Sequence, residues 1–462
     1  MERRSLQLVR LHRGGPCIPG QRGAELQTSN PGFGHGIGRG CSLSPLGPLA
    51  GLRVVEISAF IAAPFAGLNL AQLGADVIRI DPIAGNVDFG RWPLAPSGKS
   101  IYWASLNKSK RSVSLDLKSE EGQALATAII RDAGILVTNL PARGWMDYER
   151  LRAERDDLVF VELTGNFDGT PAVDYTVNPP SGFPTATGVG TAPVNHVLPA
   201  WDIAAGLYLG MAVLAADRAR GITGESQKVS LALSDVMLSV VANLGYVADV
   251  QVNNHSREPE GNYIYGAFGC DFETADGRRV MIAAMTLRQW AAIATASGAG
   301  TELDAMAARL GVDLGTDGGR YAAREEIAAI IEPWFAARSL FDVESGLAKA
   351  GAMYGVYRDF RQLVTEDYRC SEKNPMFSTI EQRGLGFILA PRSPLAFGES
   401  GSASPSVEPA PELGQNTAGV LSSVLNLSGS ELQDLADAGF VNLGSAPPFD
   451  ALAGATVQIQ IS

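Results

Sequence analysis

The chain has few cysteines, few histidines and no long apolar run, and each shortage excludes a class of protein. Its four cysteines lie far apart with no CxxC pair, which favours a reduced cytoplasm over a disulfide framework (Cys17, Cys41, Cys270 and Cys370). The four histidines are equally scattered and predict no metal site. No window approaches the roughly 18 unbroken apolar residues that a membrane helix needs, and a net charge of −12 argues against general nucleic-acid binding. We therefore expect a soluble cytoplasmic protein with no metal, no tightly bound cofactor and neither a nucleic-acid nor a membrane partner.

The first 47 residues are set apart by composition. The run from 32 to 40 alternates glycine with other residues and has neither helical nor strand periodicity, so ordering it would be costly. We expect a disordered extension or translated sequence upstream of the true start. The arginine-rich beginning leaves a transit peptide as an alternative.

From residue 48 onward, apolar strand patterns alternate with helical ones. Strands are predicted at 52–57, 76–80, 112–117, 135–140, 158–164 and 228–233, with helices between them at 63–73, 119–132 and 203–216. This rhythm predicts an α/β protein with a mostly parallel sheet covered by helices. A second unit at 261–360 begins with a hairpin that turns at Asp276-Gly277 and continues with helices.

The usual nucleotide-binding signatures are absent. Ser58-Ala59-Phe60-Ile61 follows the first strand where GxGxxG would stand, and there is no GxxxxGK[ST] loop. A dinucleotide oxidoreductase and a P-loop NTPase are therefore both disfavoured.

Asp202 is the first candidate for chemistry. It stands one residue before the predicted apolar helix 203–216. It could simply cap that helix. The same geometry would also keep a partly buried carboxylate ionised and available as a nucleophile toward an activated acyl group.

Other candidates surround it in the sequence. The basic run Asn107-Lys108-Ser109-Lys110-Arg111 precedes a strand and is either a solvated loop or a phosphate site. Arg143, after another strand, could meet a phosphate or form a surface salt bridge. Between 170 and 199 a long Pro/Gly/Thr-rich loop could shape an acyl pocket or be an ordinary connection. His196 lies in it, but no GxSxG elbow accompanies it, which favours a pocket-lining or structural role over a general base.

Six segments, in this order, resemble the class III CoA-transferases, the CaiB/BaiF family. They are 48–56, 73–80, 107–118, 223–231, 275–278 and 413–417. The resemblance implies a Rossmann-like large domain with a smaller α+β domain and an interlocked homodimer. It places the large domain at 48–255, the small domain at 261–360, a return segment with C-terminal helices completing the large domain at 361–445, and a tail at 446–462.

The resemblance also implies roles for residues. The family nucleophile is an Asp just before an apolar helix, which is Asp202 here, and the reaction moves CoA between carboxylates through an aspartyl–acyl anhydride. The matching segments supply most of the expected CoA-binding set, namely Arg79, Asn107, Lys108, Lys110 and Arg111. Arg143, which follows another predicted strand, completes the set. Further matching stretches supply an expected substrate pocket, namely Phe60, Asn178, His196 and Tyr265. These stretches are most similar to family members that move CoA within one dicarboxylic acyl-CoA, so intramolecular transfer is expected.

Departures from the family pattern bear on these roles. Pro82 stands where relatives often carry an arginine near the nucleotide, and Asn139–Gly144 differs from the family's Asn-Phe-x-Pro-Gly turn. Related acyl-CoA racemases use a His-Asp pair where this chain has Val173-Asp174, and a valine cannot move a proton. Intermolecular transfer to a free acid remains the main alternative, with racemisation and non-catalytic acyl-CoA binding behind it.

Overall fold

The structure is a computed structural model that describes residues 47–188, 190, 192–397 and 405–444. The expectations for the N-terminal extension and for the tail 446–462 therefore fall outside the described residues, except at residue 47. The first part of the fold alternates strands with helices: β1 (Arg53–Ile57), α1 (Ala62–Gln72), β2 (Asp76–Pro82), α2 (Ile101–Leu106), β3 (Arg111–Leu115), α3 (Glu120–Ala133), β4 (Ile135–Thr138), α4 (Tyr148–Glu154) and β5 (Val159–Thr164).

The segment 170–199, predicted as an irregular loop, contains short helices. They are α5 (Asp174–Val177) and α6 (Phe183–Thr187). After them come α7 (Ala200–Thr223), β6 (Gln227–Ala232), α8 (Leu233–Asn243) and α9 (Tyr246–Asn253). The sequence pattern from 235 to 249 predicts a single helix. It is broken because Gly245 adopts a left-handed conformation (φ +86°) between α8 and α9.

The remaining elements are mostly helical. They are β7 (Phe268–Glu273), β8 (Arg279–Ala284), α10 (Leu287–Ser297), α11 (Gly300–Leu310), α12 (Asp317–Ala322), α13 (Arg324–Ala336), α14 (Leu340–Ala350), β9 (Met353–Val356), α15 (Phe360–Glu366), β10 (Phe377–Gln382), β11 (Gly386–Pro391), α16 (Thr417–Leu425), α17 (Gly429–Asp437) and β12 (Val441–Asn442).

The main sheet of the described chain has the strand order β12-β3-β2-β1-β4-β5-β6. Neighbouring strands from β3 to β6 are parallel, and only β12 is antiparallel to its neighbour. The predicted mostly parallel α/β fold is thus confirmed. The carboxyl ends of the parallel strands meet at one edge, called here the carboxyl edge. Ligands bind at this edge in such sheets.

Helices cover both faces of this sheet. On one face α1, α7 and α8 bury Leu70, Leu209 and Met237 against β1, β4 and β5. On the other face α3 and α16 bury Ile129 and Leu421 against β1, β2 and β5. Because both faces are covered, the strands read as continuous apolar runs rather than alternating ones.

A second core lies within 268–356. The antiparallel strands β7, β8 and β9 form a sheet against which α10, α13 and α14 bury Phe335 and Leu347. The predicted hairpin is confirmed, since β7 and β8 pair from Phe268 to Ala284 around Gly277. This core lies in the region for which the sequence predicts a smaller α+β domain.

Helix α7 is the one helix in the described chain that is long and apolar enough to cross a membrane. One of its faces is buried in the core through Trp201, Ala205, Leu209 and Val213. Packing against α1 and the sheet accounts for the apolar character of that face.

Candidate active site

Asp202 lies in the first turn of α7, at the carboxyl edge of the sheet. The helix begins at Ala200, so the expectation that Asp202 precedes and caps the helix is wrong. The capping carboxylate is that of Asp174. Its Oδ2 accepts from the backbone N–H of Trp201 (2.8 Å) and of Asp202 (3.2 Å). Asp174 is buried and lies 28 residues upstream of Asp202. Because Asp174 accepts these hydrogen bonds, the Asp202 carboxylate does not serve as the cap and its side chain is available for chemistry.

The Asp202 carboxyl is mostly enclosed, and its surroundings disfavour its ionised form. Burial, and after it the nearby Asp174 carboxylate, raise its pKa to about 6 against the opposing effect of Arg91. Burial and Asp174 therefore outweigh the helix N-terminus that was expected to favour ionisation. At neutral pH the group is still largely ionised, and it is poorly solvated, as a carboxylate nucleophile requires.

Arg91 is a functional residue that the sequence reasoning missed. It lies in the irregular segment between β2 and α2, and its guanidinium stacks over the rings of Phe60 (5.4 Å) and Tyr102 (5.0 Å). Within the described chain its side chain forms no ion pair or hydrogen bond. The Tyr102 hydroxyl is buried and also lacks a hydrogen-bond partner there. Burial raises the pKa of Tyr102, so this hydroxyl stays protonated.

Phe60 occupies the turn between β1 and α1, where a positive φ of 64° places it in the left-handed region. Such a conformation is costly for an aromatic residue and needs support from its surroundings. Asn139, at the end of β4, supplies that support. Its side chain accepts from the Ala59 N–H (2.9 Å) and donates to the Ala59 carbonyl (2.7 Å). Phe60 is 43% exposed, so its ring faces the open side of the site.

Beneath this edge lies a buried ionic network that includes three predicted CoA-binding residues. Arg79 is bonded to Asp81 (2.8 Å), Asp88 (3.1 Å) and Asn107 (3.3 Å), and Lys110 contacts Glu56 (2.8 Å). Arg79, Asn107 and Lys110 are almost fully buried. The structure brings them together as an internal support for the segment that carries Arg91, because the Arg91 N–H donates to the carbonyl of Asp88 (3.2 Å).

Two other residues of the basic run lie elsewhere. Arg111 is at the amino end of β3 and pairs with Asp76, at the amino end of β2, which is the edge opposite Asp202. Lys108 is buried and donates to the Ser105 carbonyl (2.7 Å), and burial lowers its pKa to about 8. The run is therefore divided between the interior and the amino edge of the sheet, where Arg111 lies.

The other four predicted site residues are not gathered around Asp202 in one cluster of contacts. Arg143 is exposed after β4, at the carboxyl edge. Asn178 is buried and accepts from the Trp201 indole N–H (3.1 Å), so it helps to fix the start of α7. His196 is exposed, and its Nδ1 contacts the Leu198 carbonyl. The Tyr265 ring packs against that of Tyr321 in a tilted arrangement, with 5.3 Å between the ring centroids, and no described contact joins Tyr265 to Asp202.

The fold and this site are those of an α/β enzyme with a candidate carboxylate nucleophile at the ligand-binding edge of its sheet. Residues 49–417 match the sequence profile of CoA-transferase family III. The chain belongs to this family.

Individual relatives agree with this assignment. The chain is 49% identical, over 404 residues, to 2-methylfumaryl-CoA isomerase of Chloroflexus aurantiacus, a match covering 86% of this chain and 98% of that protein. It is 29% identical, over 328 residues, to succinyl-CoA:mesaconate CoA-transferase of Haloarcula hispanica, covering 66% of this chain and 80% of the relative. A CaiB/BaiF family protein from Brucella suis superposes with a TM-score of 0.69 at 25% identity, covering 82% of this chain and 99% of that structure.

Proposed function

We propose that this enzyme moves CoA from C1 to C4 of 2-methylfumaryl-CoA (mesaconyl-CoA), with Asp202 as the nucleophile. The observation that carries the chemistry is the Asp202 carboxylate, enclosed at the carboxyl edge and released from capping by Asp174. The substrate is proposed from the 49% identity to 2-methylfumaryl-CoA isomerase over nearly the whole of that relative.

The reaction starts at the thioester carbonyl. A carboxylate oxygen of Asp202 attacks it, the C–S bond breaks, and CoA leaves as a thiolate, which produces an aspartyl–acyl anhydride. The thiolate then attacks the Asp202 carbonyl of this anhydride, so that the free dicarboxylate leaves and Asp202 becomes a thioester of CoA. Each step exchanges one acyl bond for another and needs no external reactant.

The second half repeats these steps with the other end of the acid. The two carboxyl groups of a 2-methylfumaryl unit lie on opposite sides of a double bond and cannot close a ring anhydride, so transfer passes through Asp202 twice. The C4 carboxylate attacks the Asp202 thioester, and the released thiolate then attacks the C4 carbonyl of the new anhydride. Asp202 is regenerated as a carboxylate.

Positioning and water exclusion make this chemistry feasible. Holding the reactants in place can lower the barrier by about 7–11 kcal/mol at the upper limit. Water must be kept from the anhydride, a role we assign to the segment 170–199 and to closure of the region 261–360. Of the expected CoA-binding set, exposed Arg143 is the proposed phosphate contact. In this proposal Arg79, Asn107, Lys108 and Lys110 support the site from the interior, and Arg111 stabilises the opposite edge.

The proposal includes a cytoplasmic homodimer of interlocked chains with acyl-CoA as its small-molecule ligand. Apolar side chains exposed on α7, such as Leu207 and Met211, support a second copy as the partner.

The test is incubation of purified enzyme with 2-methylfumaryl-CoA alone, followed by chromatography of the C1 and C4 thioesters. Migration without any added acid is expected. Hydroxylamine should trap Asp202 as a hydroxamate, detected by peptide mass spectrometry, since it cleaves both anhydride and thioester intermediates. Asp202→Ala should abolish both results while leaving CoA affinity largely unchanged.

Two outcomes would redirect the proposal. Transfer that requires a free dicarboxylic acid would indicate an intermolecular CoA-transferase, and full activity of Asp202→Ala would refute the nucleophile. Uptake of solvent deuterium at the α-carbon of a saturated 2-methylacyl-CoA, offered as an alternative substrate, would indicate racemisation instead.

A further inference from the structure

We infer that Arg91 and Tyr102 form a subsite that binds the substrate's free carboxylate, the one not bonded to Asp202 or CoA. This inference rests on the proposed function, because only a dicarboxylic acyl group has such a carboxylate. It adds a residue-level basis for selecting dicarboxylic over monocarboxylic thioesters.

The guanidinium of Arg91 has unused hydrogen-bond donors in the described chain. A guanidinium has five N–H donors in a planar fork that matches a carboxylate. In the described chain the side chain of Arg91 has neither an ion pair nor a hydrogen bond, whereas Arg79 nearby is fully engaged by Asp81, Asp88 and other groups. Arg91 is therefore held in place with its donors available.

Contacts on both its side chain and its backbone hold Arg91 in position. The guanidinium carbon lies 5.4 Å from the ring centroid of Phe60 and 5.0 Å from that of Tyr102, so two aromatic rings hold the group in place without using its N–H donors in a hydrogen bond. Its backbone is anchored through Asp88, which itself receives two hydrogen bonds of 3.1 Å from Arg79. A carboxylate bound here would meet a preorganised donor rather than a mobile surface side chain.

The buried Tyr102 hydroxyl has no hydrogen-bond partner in the described chain. A buried hydroxyl without a partner costs free energy, and such groups call for an explanation. Its position against Arg91 gives it a natural acceptor, namely an oxygen of a carboxylate bound to the guanidinium. Tyr102 thereby becomes the second donor of the subsite.

The position of Arg91 relative to Asp202 also supports the subsite. Arg91 is near enough to attract the Asp202 carboxylate, yet no ion pair joins the two within the described residues. An acyl group placed between them would have its reacting carbonyl at Asp202 and its other end at Arg91. When the acid reverses for the second half of the reaction, the two carboxyl groups exchange these places.

The experiment compares two thioesters in the hydroxylamine trapping reaction. One is 2-methylfumaryl-CoA, and the other is its methyl ester at the free carboxyl, which keeps the shape and removes the charge. Wild type should trap with the acid at least about 10-fold more efficiently than with the ester, the worth of a charge-assisted hydrogen bond. In Arg91→Met this ratio should fall to near one, measured at a pH well above the pKa of Asp202 so that the loss of Arg91 does not change the ionisation of the nucleophile.

Further variants make the result specific. Arg91→Lys keeps the charge without the fork and should give an intermediate ratio. Tyr102→Phe removes the second donor and should also lower the ratio. Arg150→Met removes an exposed arginine on α4 and should leave the ratio unchanged. A ratio preserved in Arg91→Met, or an equal loss with both thioesters, would overturn the subsite.

Failure of the proposed function would be recognised separately. If wild type traps neither thioester, calorimetric binding of free mesaconate to wild type and to Arg91→Met still decides the subsite. At least about 10-fold weaker binding by the variant supports it. Equal affinity, or no binding to wild type, refutes it.

Discussion

At the residue scale, Asp202 and Asp174 divide between them two tasks that one carboxylate could have performed. Asp174 satisfies the backbone donors at the start of α7, while Asp202 remains available. Their proximity is unfavourable for two anions, and it contributes to the raised pKa of Asp202. The arrangement thus sets the pH range in which the nucleophile is ionised.

We expect kcat/KM to fall as the pH drops through about 6, because protonation of Asp202 removes the nucleophile. The groups that act on this carboxyl are Asp174, Arg91 and the Tyr102 hydroxyl. Asp174→Asn removes the like charge and keeps an oxygen that can cap α7. Its acid limb should therefore move to lower pH, as measured by pH profiles of kcat/KM.

Asp174→Ala is the matched control for capping, since it removes both the charge and the acceptor. It should lose thermal stability in addition to shifting the acid limb. An acid limb that stays in place or moves to higher pH in Asp174→Asn would contradict the electrostatic account.

At the element scale, the buried network links β1, β2 and the start of β3 to the segment carrying Arg91. Removing one member of a buried ion pair leaves an uncompensated charge, at a cost of about 3–5 kcal/mol. Arg79→Met should therefore lower the free energy of unfolding in urea by about this amount. Arg111→Met, which breaks a pair with side chains about one third exposed, should cost at most about 1 kcal/mol.

Together with a measurement of CoA affinity, this comparison also decides between two roles for Arg79. A small stability loss in Arg79→Met together with a large loss of CoA affinity would favour the original expectation of direct CoA binding. The converse result would favour the internal support.

The contact between α7 and α1 is tightest at Gly206, one turn beyond Asp202. A Cβ at Gly206 would lie 2.7 Å from the Ala62 carbonyl oxygen, a backbone atom that cannot easily move. Gly206→Ala should therefore push the two helices apart, destabilise the fold and lower kcat by displacing Asp202. The measurements are thermal unfolding and steady-state kinetics.

Gly210 is the matched control, because it lies one turn further along α7 and a Cβ there would meet nothing within 4 Å. Gly210→Ala should gain up to about 1 kcal/mol from helix propensity, with kcat unchanged. Equal behaviour of the two variants would show that close packing at Gly206 does not position the nucleophile.

At the scale of the whole molecule, the alternating sheet could be predicted because buried parallel strands and their covering helices each leave a periodic pattern. A local signal likewise predicts the start of α3, because Ser119 followed by Glu120 and Glu121 is typical of an N-cap, and the Ser119 side chain accepts from the Gly122 N–H. The start of α7 was misplaced because its cap, Asp174, lies far away in sequence. Arg91 was missed because its segment has no periodicity, and its significance comes from stacking on Phe60 and Tyr102 in three dimensions.

The exposed apolar side chains of α7 bear on assembly. Leu207, Met211 and Leu214 follow a helical spacing along one stripe, and Leu238 of α8 is exposed as well. A contiguous exposed apolar surface of this kind is typical of a protein interface. We therefore expect a homodimer in sedimentation velocity experiments at micromolar concentration.

Placing charge within the stripe should weaken that dimer, because a carboxylate buried at an apolar interface loses its hydration without gaining a partner. The Leu207→Glu, Met211→Glu double variant should sediment with a monomer fraction that grows on dilution. Ala153→Glu, on the exposed surface of α4, should sediment as wild type. If the double variant stays dimeric at every concentration while its fold is intact, the stripe is not the interface. If wild type is monomeric, the expected homodimer is refuted, and the exposed stripe has to be explained by another partner.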